Sequence, residues 1–406
     1  MAGTADGARR PPAPIGRHLL GAPTDGAPRV RRLLGARLHA EDGTVWLDAA
    51  TGGFGAGHPA VTDALADQLE RVALSSRILL SRPLADAVTA LDRYCPDPLT
   101  VSYLCNSGGE ALDSALKLAK GTHPKRRRFL GFAGEDHGSL THGLSLTLGF
   151  AGPPATPLRP DAVPADRAVE LPDRIDTDVA AVVLAPAAPG RSLADLPPAW
   201  WRRVRAACTA TGALLVFDER LTGPARLGTP LGAHALDVTP DALVLGETIG
   251  ADAVPMGVLV TSRATYDRVY AKRNPSLHGS TFGANPLSAV AAGAVLAAVE
   301  TDRLVERQRD VAAAASTQLT AIAGADRPVT AFGADGSLVW LRTVDHRTAV
   351  TLAAELSADR VLVRAPAGSV VAVLPPLTAA SEDVTDLFDR VGSAVRRLGR
   401  HQEAYA

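Results

Sequence analysis

The sequence predicts an α/β fold, a mainly parallel central sheet with helices on both faces, joined to a smaller α+β C-terminal domain. Three observations carry this. Short apolar segments alternate with helix-period segments from about residue 100 to 245, the rhythm that lays strands side by side with crossover helices between them. The rhythm breaks after Ala289, where a long Ala-rich helix follows. The chain of 406 residues is long enough for one large core and a second smaller one.

In chain order, residues 1–37 hold Pro11, Pro12, Pro14, Pro23 and Pro28 with little periodicity, so they read as a flexible arm. Residues 38–58 are expected to pack with the small domain. The stretch from Arg37 to Asp48 alternates apolar and polar residues about Asp42-Gly43, the pattern of a hairpin. Residues 59–289 form the large domain of this reading. Residues 60–72 and 84–94 have helical spacing. Val101–Cys105 is a strand, 110–120 a helix, and Arg128–Phe132 and Val179–Leu184 are strands. A helix over 200–211 precedes strands at 213–217 and Ala242–Leu245. The Pro-rich residues 151–173 are expected to be an irregular surface excursion. Residues 290–406 form the small domain, with strands at 337–341 and 361–363, a Pro375-Pro376 turn and an amphipathic helix over 381–398.

Composition narrows the function. Charged residues are 21% of the chain and the formal net charge is −1, which argues against a nucleic-acid or anionic-membrane binder. Cys95, Cys105 and Cys208 show no metal-ligand spacing, so no metal site is expected. The N-terminus lacks the apolar core of a signal peptide, and the most apolar stretch, 286–299, is too short to span a bilayer. The expectation is a cytoplasmic chain. Only Lys117, Lys120, Lys125 and Lys272 supply side-chain amines; the other basic residues are arginines.

Asn106-Ser-Gly-Gly-Glu110 follows a strand and opens a helix, so the Ser107, Gly108 and Gly109 amides read either as a phosphate cradle or as an ordinary strand-to-helix turn. The segment from Asn106 to Lys120 is similar to the cofactor-phosphate segment of class-III aminotransferases. Other stretches resemble the same family in its order: Asp42–Asp48, Gly57-His-Pro-Ala-Val61, Phe132–Thr147 with His137-Gly138, Leu215–Glu219 with Thr222-Gly223, Ser280–Leu287, Val361–Val363 and Leu374–Thr378. The resemblance covers roughly residues 37–400. It implies the fold type I architecture of pyridoxal-phosphate enzymes and a homodimer with its site at the interface. It also implies Asp218 on the pyridine nitrogen, and Ser107, Gly108, Gly109 and Thr281 on the phosphate, with Thr281 coming from the partner subunit.

The chain departs from the family pattern at several positions. Glu247 stands in Leu243-Val-Leu-Gly-Glu-Thr-Ile-Gly250 where the family has its Schiff-base lysine, and a carboxylate cannot form an imine. Asp136 stands where an aromatic stacks on the ring, Leu221 where a polar side chain meets it, Ala185 where a glutamate is usual and Ala372 where many members carry an arginine. Of the lysines, Lys272 alone is kept open as a substitute. Three readings follow. The first is a repurposed enzyme that uses Glu247, Asp218, His137 and Asp136 for acid/base or group-transfer chemistry on a small metabolite, without an internal aldimine. The second holds pyridoxal or pyridoxamine phosphate noncovalently, and the third is a non-catalytic dimerisation partner. Arg220 is expected to balance the acid cluster, to contact a substrate anion, or to be an exposed structural residue.

Overall fold

The computed structural model describes residues 28–75, 80–148, 159–271 and 279–403; Lys272 and most of the N-terminal arm lie outside them. The N-terminal strands β1 (Val30–Leu34), β2 (Arg37–Ala40) and β3 (Val45–Asp48) form an antiparallel meander. Its second hairpin turns at Asp42, whose carboxylate accepts a hydrogen bond from the Thr44 amide at 2.9 Å, as an Asx turn does. The arm expected over 1–37 is therefore too long by one strand. Val30–Leu34 alternates poorly, yet its backbone pairs with β2 and Leu34 is half-buried.

Helices α1 (Pro59–Arg71) and α2 (Arg82–Tyr94) lead into β4 (Val101–Cys105), α3 (Gly108–Thr122), β5 (Arg128–Phe132), α4 (Thr141–Leu148) and β6 (Arg159–Val163). There follow β7 (Val179–Leu184), α5 (Pro198–Thr211), β8 (Leu214–Glu219), α6 (Gly232–Leu236), β9 (Ala242–Leu245), β10 (Gly257–Thr261) and α7 (Arg263–Tyr266). The seven strands of this region stand in the order β4-β10-β9-β8-β7-β5-β6. All neighbours are parallel except β10, which runs antiparallel to both β4 and β9. Strand β7 is buried along its whole length, the state of a strand covered on both faces. The stretch expected to be a surface excursion is instead partly core. β6 forms an edge of the sheet, Val163 and Leu171 are fully buried, and the Trp200 indole donates to the Ala168 carbonyl at 2.8 Å.

Helix α8 (Pro286–Thr301) packs on α1 and α2. Asn285 caps it, accepting from the Ser288 amide at 2.9 Å. After α9 (Leu304–Thr320) come β11 (Val329–Asp335), β12 (Leu338–Thr343), α10 (His346–Ala358), β13 (Val361–Leu362), β14 (Val370–Val373) and α11 (Ser381–Glu403). β11, β12 and β14 form a small antiparallel sheet under α9, α10 and α11, with its own apolar core around Leu341, Leu352 and Phe388. β13 adds in parallel to β3 and so joins the N-terminal meander to the C-terminal region. Among the described residues no helix is long and apolar enough to cross a membrane.

Candidate functional site

The carboxyl ends of parallel strands are where such sheets open toward ligands, and β8 ends there on two acids. Successive residues of a strand point to opposite faces, so Asp218 and Glu219 part company. Glu219 turns inward and is fully buried, accepting hydrogen bonds from the Gly232 and Ala233 amides at 2.6 and 2.9 Å. Burial pushes its pKa up to about 7 against the pull of those amides.

Asp218 faces the other way. It is 4% exposed and meets His137 and Arg220. Its Oδ2 takes a hydrogen bond at 2.9 Å from His137 Nδ1 and another at 2.9 Å from Arg220 Nη2. Its Oδ1 takes Arg220 Nε at 2.8 Å and the Arg220 amide at 3.3 Å. A carboxylate offers about four lone-pair directions, and all four are used. Burial alone would raise the Asp218 pKa, but the Arg220 charge and the hydrogen bonds from both partners outweigh it and hold the group well below the ordinary carboxylate range. The same pairing raises the Arg220 pKa in spite of burial. Arg220 therefore holds Asp218 as one half of a closed ion pair.

The rest of Arg220 is equally engaged. Its Nη2 also donates to the Asp136 carbonyl at 2.6 Å. Its stem crosses the opening of α3, where a Cβ added at Gly108 would lie 2.8 Å from Arg220 Cδ. A Cβ at Gly246 would lie 3.0 Å from Arg220 Cβ, and one at Gly138 would lie 3.0 Å from Nη1. Gly108 and Gly138 thus make room for this side chain, and Gly246 for the Arg220 main chain, whose carbonyl oxygen would lie 2.6 Å from a Cβ there.

Next to the pair lies a cleft of about 120 Å³, lined by Thr51, Gly52, Glu135, Asp136, Asp218, Arg220, Leu221, Glu247, Thr248 and Arg364 among others. Of the sequence-expected site residues, Glu247, Asp136 and Asp218 meet here. Glu247 is exposed, at the turn after β9, and makes no hydrogen bond or ion pair among the described residues. The Asp136 side chain caps the local turn, accepting from the Gly138 amide at 2.7 Å. His137 is not a lining residue. Its ring is 2% exposed, and Nε2 is buried without a partner, so its part is to hold Asp218 from behind. Ser107 caps α3, accepting from the Glu110 amide at 3.1 Å, while Glu110 reaches back to the Asn106 amide at 3.0 Å, a variant of the capping box. Gly108 lies under Arg220, and Gly109 lies against Leu140. Thr281 is exposed and does not line the cleft.

Two pairings escaped the sequence reading. Glu135 and Arg191, both buried, form a salt bridge on the cleft wall, with Arg191 Nε donating to Oε1 at 2.9 Å and Nη2 sharing that oxygen. Nothing in their spacing of 56 residues announces it. The Arg220–Asp218 pair did carry a signal. Residues i and i+2 leaving a strand share a face, which sets an arginine beside the aspartate.

The fold places this arrangement in a known class. Over 95% of this chain and 94% of the other, the structure aligns with the ornithine aminotransferase of Toxoplasma gondii at a TM-score of 0.83 and 23% identity. It aligns with the acetylornithine aminotransferase of Elizabethkingia anophelis at 0.77 and 20%, over 94% and 97% of the two chains. The architecture is that of fold type I aminotransferases. A family profile described as aminotransferase class-III matches residues 25–155 and 158–395, and the chain belongs to that family. An acetylornithine aminotransferase from Methanopyrus kandleri is 29% identical over 374 residues, 90% of this chain and 93% of the relative.

Class-III aminotransferases use pyridoxal phosphate, act on small substrates and are typically dimeric. That cofactor asks for a free carboxylate at its ring nitrogen, open space over the phosphate turn, and an amine for its aldehyde. Here Asp218 is saturated, Arg220 lies over Gly108, and among the described residues no lysine lines the cleft. The cleft is also below the roughly 300 Å³ at which small-molecule pockets begin. In this arrangement the cofactor does not fit.

Proposed function

We propose that this chain is a class-III aminotransferase-fold enzyme repurposed to work without an internal aldimine and without resident pyridoxal phosphate, acting on a small amine by acid/base or group-transfer chemistry. The observation that supports it best is the closed Asp218–Arg220 pair beside a carboxylate, Glu247, that is unpaired among the described residues and stands at the position where the family motif has lysine. Four carboxylates but only two guanidiniums line the cleft. Asp218 cancels Arg220, and Glu135 is answered by Arg191. Glu247 and Asp136, offset in part by Arg364, then leave the cleft one negative charge in excess, a field that favours a cation. In this reading Glu247 binds the substrate ammonium and accepts its proton, leaving an amine lone pair free to react. Asp136 adds to the field, and His137 and Arg220 fix Asp218. Relatives named for ornithine and acetylornithine are in keeping with an amine substrate.

The homodimer and the cytoplasmic location belong to the same proposal. An apolar groove of about 860 Å³ runs between α1, the start of α2 and α8, and Leu69, Val72, Leu74, Leu80 and Phe282 are exposed. Faces of this kind suit association with a second copy.

Calorimetric titration with ornithine and N-acetylornithine tests the substrate class. Wild type should bind at least one of them, and Glu247→Gln should weaken that binding by about tenfold, the loss of one charge-assisted contact. Replacement of the gene by a Glu247→Gln allele in the producing organism should reproduce the deletion phenotype. A normal phenotype with an intact dimer would instead favour the non-catalytic partner.

A further inference from the structure

We propose that Arg220 is a built-in occupant of the cofactor's ring site, so that pyridine cofactors are excluded by a side chain as well as by the missing amine. This shares with the proposed function the premise that no cofactor resides in the cleft, and goes further in assigning the exclusion to one residue.

A protonated pyridine nitrogen brings a carboxylate one positive charge and one N–H. Arg220 brings the same charge and, through Nε and Nη2, two side-chain N–H groups in the planar fork that suits a carboxylate. Its amide adds a third donor, and His137 supplies the last from the opposite side. The pair is deep: the Asp218 and Arg220 side chains are 3% and 16% exposed. A ring could reach Asp218 only by expelling the guanidinium from a carboxylate that would meanwhile stay buried and charged. The side chain also holds its place sterically, because it fills the space left by the absent side chains of Gly108 and Gly138, while Gly246 admits the Arg220 main chain. Gly108 reads in sequence as part of a phosphate cradle. In the structure it is room for Arg220.

The binding-competent fraction sets the apparent affinity, so removing the occupant should tighten binding without any new contact. Pyridoxamine phosphate, which needs no lysine, is the first probe. Wild type should show no saturable binding up to about 1 mM, and Arg220→Val should bind at least about tenfold more tightly. The second probe is pyridoxal phosphate with borohydride, followed by intact mass and peptide mapping. Here an introduced amine adds to the aldehyde carbon, water leaves as the C=N bond forms, and borohydride reduces that bond to a stable adduct. Glu247→Lys alone should give little adduct at position 247, whereas Glu247→Lys combined with Arg220→Val should give it in high yield.

A folded, dimer-competent Arg220→Val that binds no better than wild type overturns the inference and leaves the cofactor-free reading standing. So does an adduct as complete in Glu247→Lys as in the double variant. Tight binding by wild type overturns both. Should Arg220→Val prove insoluble, Arg220→Gln keeps one donor on Asp218 while vacating the guanidinium's volume, and it carries the same expectation and the same overturning result.

Discussion

Arg220 and Arg226 leave the same strand end six residues apart, and the two regions they hold are built on different physics. Arg220 pairs with a carboxylate, and the pairing raises its pKa despite burial. Arg226 is 1% exposed and, among the described residues, makes no hydrogen bond to a carboxylate. It donates instead to main-chain oxygens: Leu221 at 2.9 Å, Pro375 at 3.1 Å, Gly53 at 3.1 Å, and Gly52. The Ser337 hydroxyl completes the set at 2.8 Å. Burial pulls its pKa down to about 10, still high enough to keep the guanidinium charged near neutrality. Both groups are desolvated, and the difference is the charge of the partner. The first closes a ligand pocket. The second joins the segment before α1, the loop after β8 and the turn after β14 into one junction. A buried arginine is thus an electrostatic device in one place and a mechanical one in the other.

The sharpest way to break this comparison is Arg226→Met. It strands several buried carbonyls at once, each worth about 1–3 kcal/mol when unpaired, so a loss of about 4 kcal/mol is expected in calorimetric unfolding. A loss below about 1 kcal/mol would mean that water replaces the guanidinium and that the junction needs no arginine.

Arg220→Met should cost less, about 2–3 kcal/mol at neutral pH, because the cleft admits water to one side of the pair. Its pH signature sets it apart. Asp218 in the wild type has a depressed pKa, so its pairing contributes stability above the unfolded value near 3.8 that is lost as pH falls below it. Without Arg220, burial dominates and the Asp218 pKa rises. The stability gap between wild type and variant should therefore narrow on acidification from pH 7 toward pH 4. The Arg226→Met gap should change less over the same range, because Arg226 acts on the nearest acid, Asp252, without a hydrogen bond among the described residues.

Glu219→Gln probes the third charged group of this strand end. With its pKa raised from 4.5 to about 7, Glu219 is most favourable to folding when protonated, and that contribution fades as pH rises from about 4.5 to 7. The wild-type melting temperature relative to the variant should decline across that window, by the equivalent of about 3 kcal/mol. A parallel pair of curves would place the titration elsewhere. Smallest of all, Glu247→Gln should change stability by less than about 0.5 kcal/mol, since the side chain is exposed and has no partner among the described residues. A large change would mean that Glu247 is structural.

Much of this was legible in the sequence where period and position agree. Strand β7, buried throughout, reads as an unbroken apolar run, and β3 with β2 announces itself by alternation about Asp42-Gly43. Asp218 was legible because an acid after four buried apolar residues sits at a strand end. Strand β10 was not, since five residues between Met256 and Ser262 are too few to show a period. Its antiparallel course is set by the connection from β9 and by pairing with β4. β6 was hidden by its prolines, which an edge strand tolerates. At the site, residue types showed which contacts were missing. They did not show what had filled the space, because a refilled pocket depends on where one flexible side chain folds back. Of the three expectations for Arg220, the structure agrees with the one that has it balance an acid, here Asp218, and not with that of an exposed structural residue.

The Arg226 clasp has a consequence for how such a protein can change. Four of its five acceptors are peptide oxygens, and a peptide oxygen is the same whatever residue carries it. The clasp's hydrogen bonds therefore do not read the side chains at 221 and 375, whereas Gly52, at φ +60°, and Gly53, where a Cβ would lie 2.0 Å from Asp252 Oδ1, are held by backbone and space. Side chains bordering the cleft can be exchanged, as Leu221 illustrates, without loosening the frame that holds them, so the chemistry of the cleft is free to drift while its architecture is inherited.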